Sequence, residues 1–113
     1  MNNRELGAKY EQEACEYIAS LGMHVLARNW RTRNGEIDIV ARDEDTIVFI
    51  EVKFRKSNKK GDALEQINYK KQQQIRHMAV EYLHYIGKGE NTKIRFDCVG
   101  ITGDNFKYVK GAF

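Results

Sequence analysis

The chain contains no proline. Proline fixes φ, removes a backbone donor and so punctuates most sequences. Here the boundaries of helices and strands rest on glycines, capping residues and periodicity alone. There are only two cysteines, Cys15 and Cys98, far apart and in no metal-ligand or redox motif. They read as small core residues in a reducing compartment. The three histidines, His24, His77 and His84, show no ligand spacing. No stretch approaches the roughly 18 apolar residues of a membrane helix, and no N-terminal apolar run resembles a signal peptide. The expectation is a cytoplasmic protein. Linkers, repeats and low-complexity segments are also missing, and 113 residues suit one compact domain over 1–113.

What is present is a well-charged chain with a real core. Hydrophobic residues make up 42 % and charged residues 31 %, against a usual charged share of about 25 %. The net charge of +3 would not by itself predict a polyanionic partner. Its distribution says more: Lys53, Arg55, Lys56, Lys59 and Lys60 fall within one stretch free of acids, and Lys70, Lys71 and Arg76 follow.

Asn2 or Asn3 can cap a first helix running to about Leu21. Leu6, Tyr10, Ala14, Tyr17, Ile18 and Leu21 form its apolar stripe, and Gly22 stops it. Met23 to Asn29 reads as a short strand. Trp30 to Asn34 reads as a basic, aromatic connection, with Asn34–Gly35 as a turn signal. Two strand-like runs follow. After a polar loop, Asp62 with Glu65 resembles a capping box at the start of a second helix reaching about Ile86. Leu64, Ile67, Lys71, Ile75, Met78, Ala79, Tyr82, Leu83 and Ile86 recur at helical spacing. Lys93 to Thr102 and Asn105 to Val109 read as the last strands, turning at Gly103–Asp104. The order α-β-β-β-α-β-β predicts a mixed central sheet flanked by helices, with a crossover to a parallel neighbour.

The two central runs carry the chemistry. Strand residues alternate faces. Ile37, Ile39 and Ala41 therefore point one way, and Glu36, Asp38 and Val40 the other. In the second run Val48, Ile50 and Val52 oppose Phe49, Glu51 and Lys53. A hairpin with a loop of about four residues, Asp43 to Thr46, pairs Arg42 with Ile47, Val40 with Phe49, Asp38 with Glu51 and Glu36 with Lys53. Like charges directly opposite are destabilising. A bound Mg²⁺ or Mn²⁺ would turn that repulsion into attraction, because hard cations prefer oxygen ligands.

Phosphodiester hydrolysis needs a positioned water, a metal that acidifies it, and positive charge for the transition state. Asp38 and Glu51 are the expected metal carboxylates, with the Val52 carbonyl as a further hard ligand. Lys53, two residues from Glu51 on the same face, can orient or deprotonate the water. Glu11 on the first helix is a candidate additional carboxylate, with Gly7 one turn earlier permitting close approach. Arg55, Lys56, Lys59, Lys60 and Lys71 are the expected phosphate contacts, which give affinity without sequence readout. Plainer readings stand beside these. A Glu–Lys pair can be an ordinary surface ion pair worth about 0–1 kcal/mol. Glu36 either bridges to Lys53 or shapes the metal site. Lys71 either snorkels or reaches the site. Trp30 is read as a core anchor ahead of a base-stacking platform, and Asp97 as structural, paired with Arg95 or a neighbouring loop.

The residues Gly7-x-x-x-Glu11-x-x-Ala14, Arg28 to Arg31, Gly35 to Ala41, Phe49 to Arg55, Lys71 and Arg95 to Asp97 together form a pattern over nearly the whole chain. It resembles the restriction-endonuclease-like PD-(D/E)xK nuclease superfamily and, within it, the YraN-type family of small bacterial proteins. Ile37 stands before Asp38 where the wider superfamily has proline. The resemblance implies an αβββαβ core, Mg²⁺-dependent cleavage, and Asp38, Glu51 and Lys53 at the active site. The favoured expectation is a metal-dependent nuclease acting on DNA, with branched or otherwise structured DNA among its candidate substrates. The alternative is a nuclease-fold module that binds nucleic acid or protein without catalysis; processing of RNA is a weaker third reading. The second helix or the segment Phe106 to Phe113 could form a homodimer seam.

Overall fold

The computed structural model describes residues 2–55 and 67–113. The expectations for Lys56, Lys59 and Lys60, and the cap at Asp62 with Glu65 and Leu64, lie outside the described residues. The elements are α1 (Asn3–Ser20), β1 (His24–Thr32), β2 (Gly35–Asp43), β3 (Thr46–Arg55), α2 (Tyr69–Tyr85), β4 (Ile94–Thr102) and β5 (Asn105–Val109). They form a mixed α/β fold with one five-stranded sheet in the order β1-β2-β3-β4-β5. Only β3 and β4 pair in parallel, and α2 lies in the connection between them. No helix of the described chain is long and apolar enough to cross a membrane.

Both helices start on asparagine. Asn2 Oδ1 accepts from Glu5 N at 2.8 Å, and Asn68 Oδ1 accepts from Lys71 N at 2.9 Å. Each satisfies one of the backbone donors left open in a first turn. The second cap corrects the expected helix start: Ile67 and Asn68 are not helical, and the α2 helix begins at Tyr69. Gly22 and Gly87, at φ +92° and +75°, follow the two helix ends, as the C′ glycine rule requires.

The helices cover opposite faces of the sheet. On one face Ala14, Cys15 and Ile18 of α1 pack with Ile39, Ala41, Val48, Ile50, Val99 and Ile101. On the other, Ile75, Met78, Ala79 and Tyr82 of α2 pack with Val40, Ile47, Phe49 and Phe96. The C-terminus closes this second core, with Phe113 stacked on Phe96 at 5.2 Å. Trp30 meets Tyr82 edge-on at 5.2 Å, the anchoring role expected of it. Cys15 and Cys98 are free and buried.

Four expectations are corrected. The β1 strand runs on to Thr32, so Trp30 to Thr32 is strand rather than connection, and Thr32 pairs with Gly35 across a two-residue turn. The loop between β2 and β3 is tighter than expected, because Asp43 and Thr46 already pair. Leu21 is 48 % exposed and does not join the core. Ile37 packs with the α2 cluster, on the side away from Ile39. Strict alternation fails there because Asn29, opposite Asp38 between the pairs Arg28–Ile39 and Trp30–Ile37, takes a left-handed φ of +50°. Such a conformation is several-fold commoner for Asn than for most residues.

Candidate active site

The β2–β3 ladder follows the expected register from Asp43–Thr46 to Ile39–Ile50 and then stops. The β3 strand continues alone on that side while its other edge stays paired with β4 as far as Arg55–Thr102. Where the next backbone pairing would fall, Asp38 Oδ2 accepts from Val52 N at 2.8 Å. A side chain thus replaces a backbone acceptor, and the two strands part around it. The N–H and C=O of one strand residue point to the same neighbour. The Val52 carbonyl therefore faces the same opening as the Asp38 carboxylate.

The expected meeting of Asp38 and Glu51 occurs between side chains, which share a hydrogen bond. It is not a ladder pair. The expected Glu36–Lys53 pair does not form: Glu36 Oε2 lies 2.9 Å from Arg31 Nε instead. That contact is a close ion pair whose angle is too poor for a hydrogen bond.

Glu51 is 4 % exposed. Burial, and then the nearby Asp38 carboxylate, push its pKa up to about 7, against the pull of Lys71 and Lys53. Burial also raises Asp38, while the Val52 N–H and Glu51 bonds oppose the rise. Two carboxylates this close cannot both ionise cheaply, and Glu51, with its pKa pushed up to about 7, is the partner that keeps a proton below that pH and donates it to Asp38. Lys53 Nζ and Lys71 Nζ lie 3.5 and 3.7 Å from Glu51 Oε1. These contacts are longer than charge-assisted hydrogen bonds of about 2.7–2.9 Å.

Lys53 is placed as the strand alternation requires. Lys71 reaches the carboxyl pair from the first turn of α2, which decides between its two readings. Glu11 feels Asp38 and Glu36, and burial raises its pKa first of all. Its Oε1 atom is buried with no hydrogen-bond partner, a costly state for an acceptor. Gly7 does not explain this: among the described residues nothing lies within 4 Å of where its Cβ would be. Arg55 ends β3, with its Nε buried and unpartnered. Sequence reasoning passed over two residues here. Arg28 lowers the Glu11 pKa and bonds Gln12 Oε1 at 2.8 Å, and the Asn29 side chain bonds Glu11. The Arg28–Asn29 dipeptide gave only a motif match, because its role depends on the positive φ at Asn29.

Among the described residues no group of three or more Asp, Glu, His or Cys side chains is spaced to hold an ion. The donors that are present still fit Mg²⁺, which is commonly bound through one or two carboxylates, with waters and substrate phosphates completing the shell. Asp38, Glu51 and the Val52 carbonyl are such a set. The unpartnered Glu11 oxygen is a further acceptor beside it.

Comparison with known proteins gives this arrangement a family. Residues 10–101 match the model of "Uncharacterised protein family UPF0102". A UPF0102 protein of Lachnoclostridium phytofermentans is 42 % identical over 113 residues, covering 100 % of this chain and 96 % of its own. One from Francisella tularensis subsp. tularensis is 39 % identical, covering 100 % and 97 %. One from Nitrosococcus oceani is 38 % identical, covering 98 % and 93 %.

Proposed function

Since the chain belongs to the uncharacterised protein family UPF0102, we propose a reading from the site itself: a divalent-metal-dependent endonuclease hydrolysing DNA phosphodiesters, on a restriction-endonuclease-like core. The observation that carries it is the pairing of half-buried Asp38 with buried Glu51 at the parting of β2 and β3, with two lysines on Glu51. A structural hairpin gains nothing from such a pair, and buried charges without full pairing are costly. A site that exchanges a proton for a cation explains both its burial and its incomplete bonding.

Asp38, Glu51 and the Val52 carbonyl would hold Mg²⁺ or Mn²⁺. When bound, the ion supplies positive charge at the phosphate and a more acidic water. Lys53 stands beside Glu51, where its Nζ can orient the attacking water and accept its proton or offset charge on phosphorus. Lys71 adds a second cation on the α2 side. Its N–H donors match the negative oxygens that develop as water adds to phosphorus and one P–O ester bond breaks. The Val52 N–H keeps Asp38 in place through both states. Glu11 can accept from a water that no other described group engages.

The test is incubation with single-stranded, duplex and branched DNA in Mg²⁺ or Mn²⁺, with a matched RNA strand beside it. Wild type should cut DNA, and Asp38→Ala and Lys53→Ala should not. Equal residual cutting in all three proteins would overturn the assignment. Salt-sensitive DNA binding without cutting would favour a non-catalytic nuclease-fold module.

A further inference from the structure

An open depression of about 410 Å³ adjoins the carboxyl pair. Arg31 and Arg33, at the β1–β2 turn, form one wall, and Lys71 and Gln74 of α2 the other. We propose that it is a subsite for a backbone phosphate of nucleic acid, next along the strand from the phosphate held at Asp38 and Glu51. This rests on the endonuclease reading and extends it from the reacting bond to the strand around it.

Three features carry the assignment. The first is charge: among the described residues lining it, three cationic side chains face a single carboxylate, Glu36, and Glu36 is already taken up by Arg31 Nε at 2.9 Å. That contact occupies one edge of the guanidinium, whose planar fork has further N–H donors matched to phosphate oxygens. The Arg31 side chain is 70 % exposed, and Arg33 is exposed as well, so both heads are reachable from solvent. The second is continuity. Lys71 lines the depression while its Nζ sits 3.7 Å from Glu51 Oε1. One lysine thus faces both the reacting phosphate and its neighbour. The third is shape. Gly35, at φ +145°, lets Gln74 of α2 pack against the turn backbone, where a Cβ would stand 2.8 Å from Gln74 Nε2, and so brings the two walls together over an open floor. A pocket for a small ligand encloses most of its occupant; an open trough with cationic walls suits a polymer backbone passing through.

These contacts would position the strand without reading its bases. They also place substrate affinity on the β1–β2 turn as well as on the basic stretch after β3. The same chain then has a reason to carry Arg31 at the end of β1 and Arg33 in the tight turn that follows.

The experiment is fluorescence anisotropy with labelled duplex and single-stranded DNA in EDTA across a salt series, on wild type, Arg33→Ala, the double variant Arg31→Ala/Arg33→Ala, and Lys88→Ala as a control beyond the far end of α2. Arg33→Ala should weaken binding about tenfold at low salt and reduce the slope of log affinity against log salt by about 1. The double variant should go further, and Lys88→Ala should match wild type. Cutting is measured in parallel with Glu51→Gln. If both arginine variants bind like wild type while Glu51→Gln loses cutting, the subsite is wrong and the endonuclease reading stands. If the arginine variants lose affinity but the wild type cuts nothing, the phosphate subsite stands and the catalytic reading falls. If the wild type binds no DNA, both fall.

Discussion

Two buried acidic centres lie on this sheet, and they are built in opposite ways. Asp97 on β4 is fully buried and fully bonded. Its Oδ1 accepts from Arg95 Nε and Gly111 N, both at 2.9 Å. Its Oδ2 accepts from Arg95 Nη2 at 3.0 Å and Tyr108 OH at 2.5 Å. Four donors use up the lone pairs of a carboxylate. Arg95 also bonds Asp43 at 2.9 Å, so the cluster ties β4, β5, the end of β2 and the C-terminal turn together. Its bonds to Asp97, ahead of those to Asp43, hold the Arg95 guanidinium pKa above its usual range, and burial with the Asp97 bond raises Tyr108. Among the described residues, Asp38 and Glu51 have one backbone donor between them, a mutual hydrogen bond and two lysines at long range. A saturated carboxylate is a structural joint. An unsaturated pair at the parting of two strands is a place for something to bind.

The comparison is sharpest under substitution. Asp97→Ala leaves Arg95 and Tyr108 without their partner and should cost about 3–5 kcal/mol, the usual penalty for breaking a buried pair from one side. Chemical denaturation would measure it. Glu51→Gln should keep the fold, because the amide can donate to Asp38 as the protonated Glu51 does. A loss of stability equal to that of Asp97→Ala would erase the distinction between the two centres.

The next effect is in pH. The folded Glu51 pKa of about 7 lies above its ordinary value of 4.5. Between those values the native state binds more protons than the unfolded chain, so stability falls as pH rises. Full stability from this group is present below about pH 4.5 and is lost by about pH 7, with a total on the order of 3 kcal/mol. Thermal unfolding without divalent metal should show Tm falling from about pH 5 to about pH 8, a slope that Glu51→Gln flattens.

A smaller effect concerns the β1–β2 turn. Gly35→Ala combines a left-sided φ with a 2.8 Å approach to Gln74 Nε2. It should cost about 1–3 kcal/mol, read by urea unfolding. A shift of Gln74 would relieve the contact and leave the backbone strain, so a cost at the low end points to strain alone.

Much of this was legible in the residues. Alternation in Gly35 to Lys53 gave the register correctly at Arg42–Ile47 and Val40–Phe49, since a slip of one residue would move every side chain to the other face. The further pairs Asp38–Glu51 and Glu36–Lys53 do not form in the ladder. The element order and the parallel β3–β4 neighbours followed from the long helix between two apolar strands. The parting of β2 and β3 was not readable, because it depends on Asp38 substituting for a backbone acceptor. The change of face at Ile37 depends on the left-handed Asn29, which no apolar pattern reports. The extension of β1 to Thr32 was hidden by Arg28, Asn29 and Arg31, charged or turn-prone residues that weaken an alternating signal at an exposed edge. The start of α2 at Tyr69 was missed because Asn68, its cap, has Lys71 three residues on in place of the Glu or Gln that marks a capping box. Lys71 could be placed on an apolar stripe, but its reach to Glu51 needed the third dimension.

The account stands most directly on the exchange of the shared proton for a cation. Calorimetric titration of Mn²⁺ into the wild-type protein, in two buffers of different ionisation heat, at a pH just below the Glu51 value of about 7, measures both binding and proton release. Binding accompanied by release of up to one proton, abolished in Asp38→Asn, is the predicted result. No binding by the wild type, or equal binding by Asp38→Asn, would contradict it.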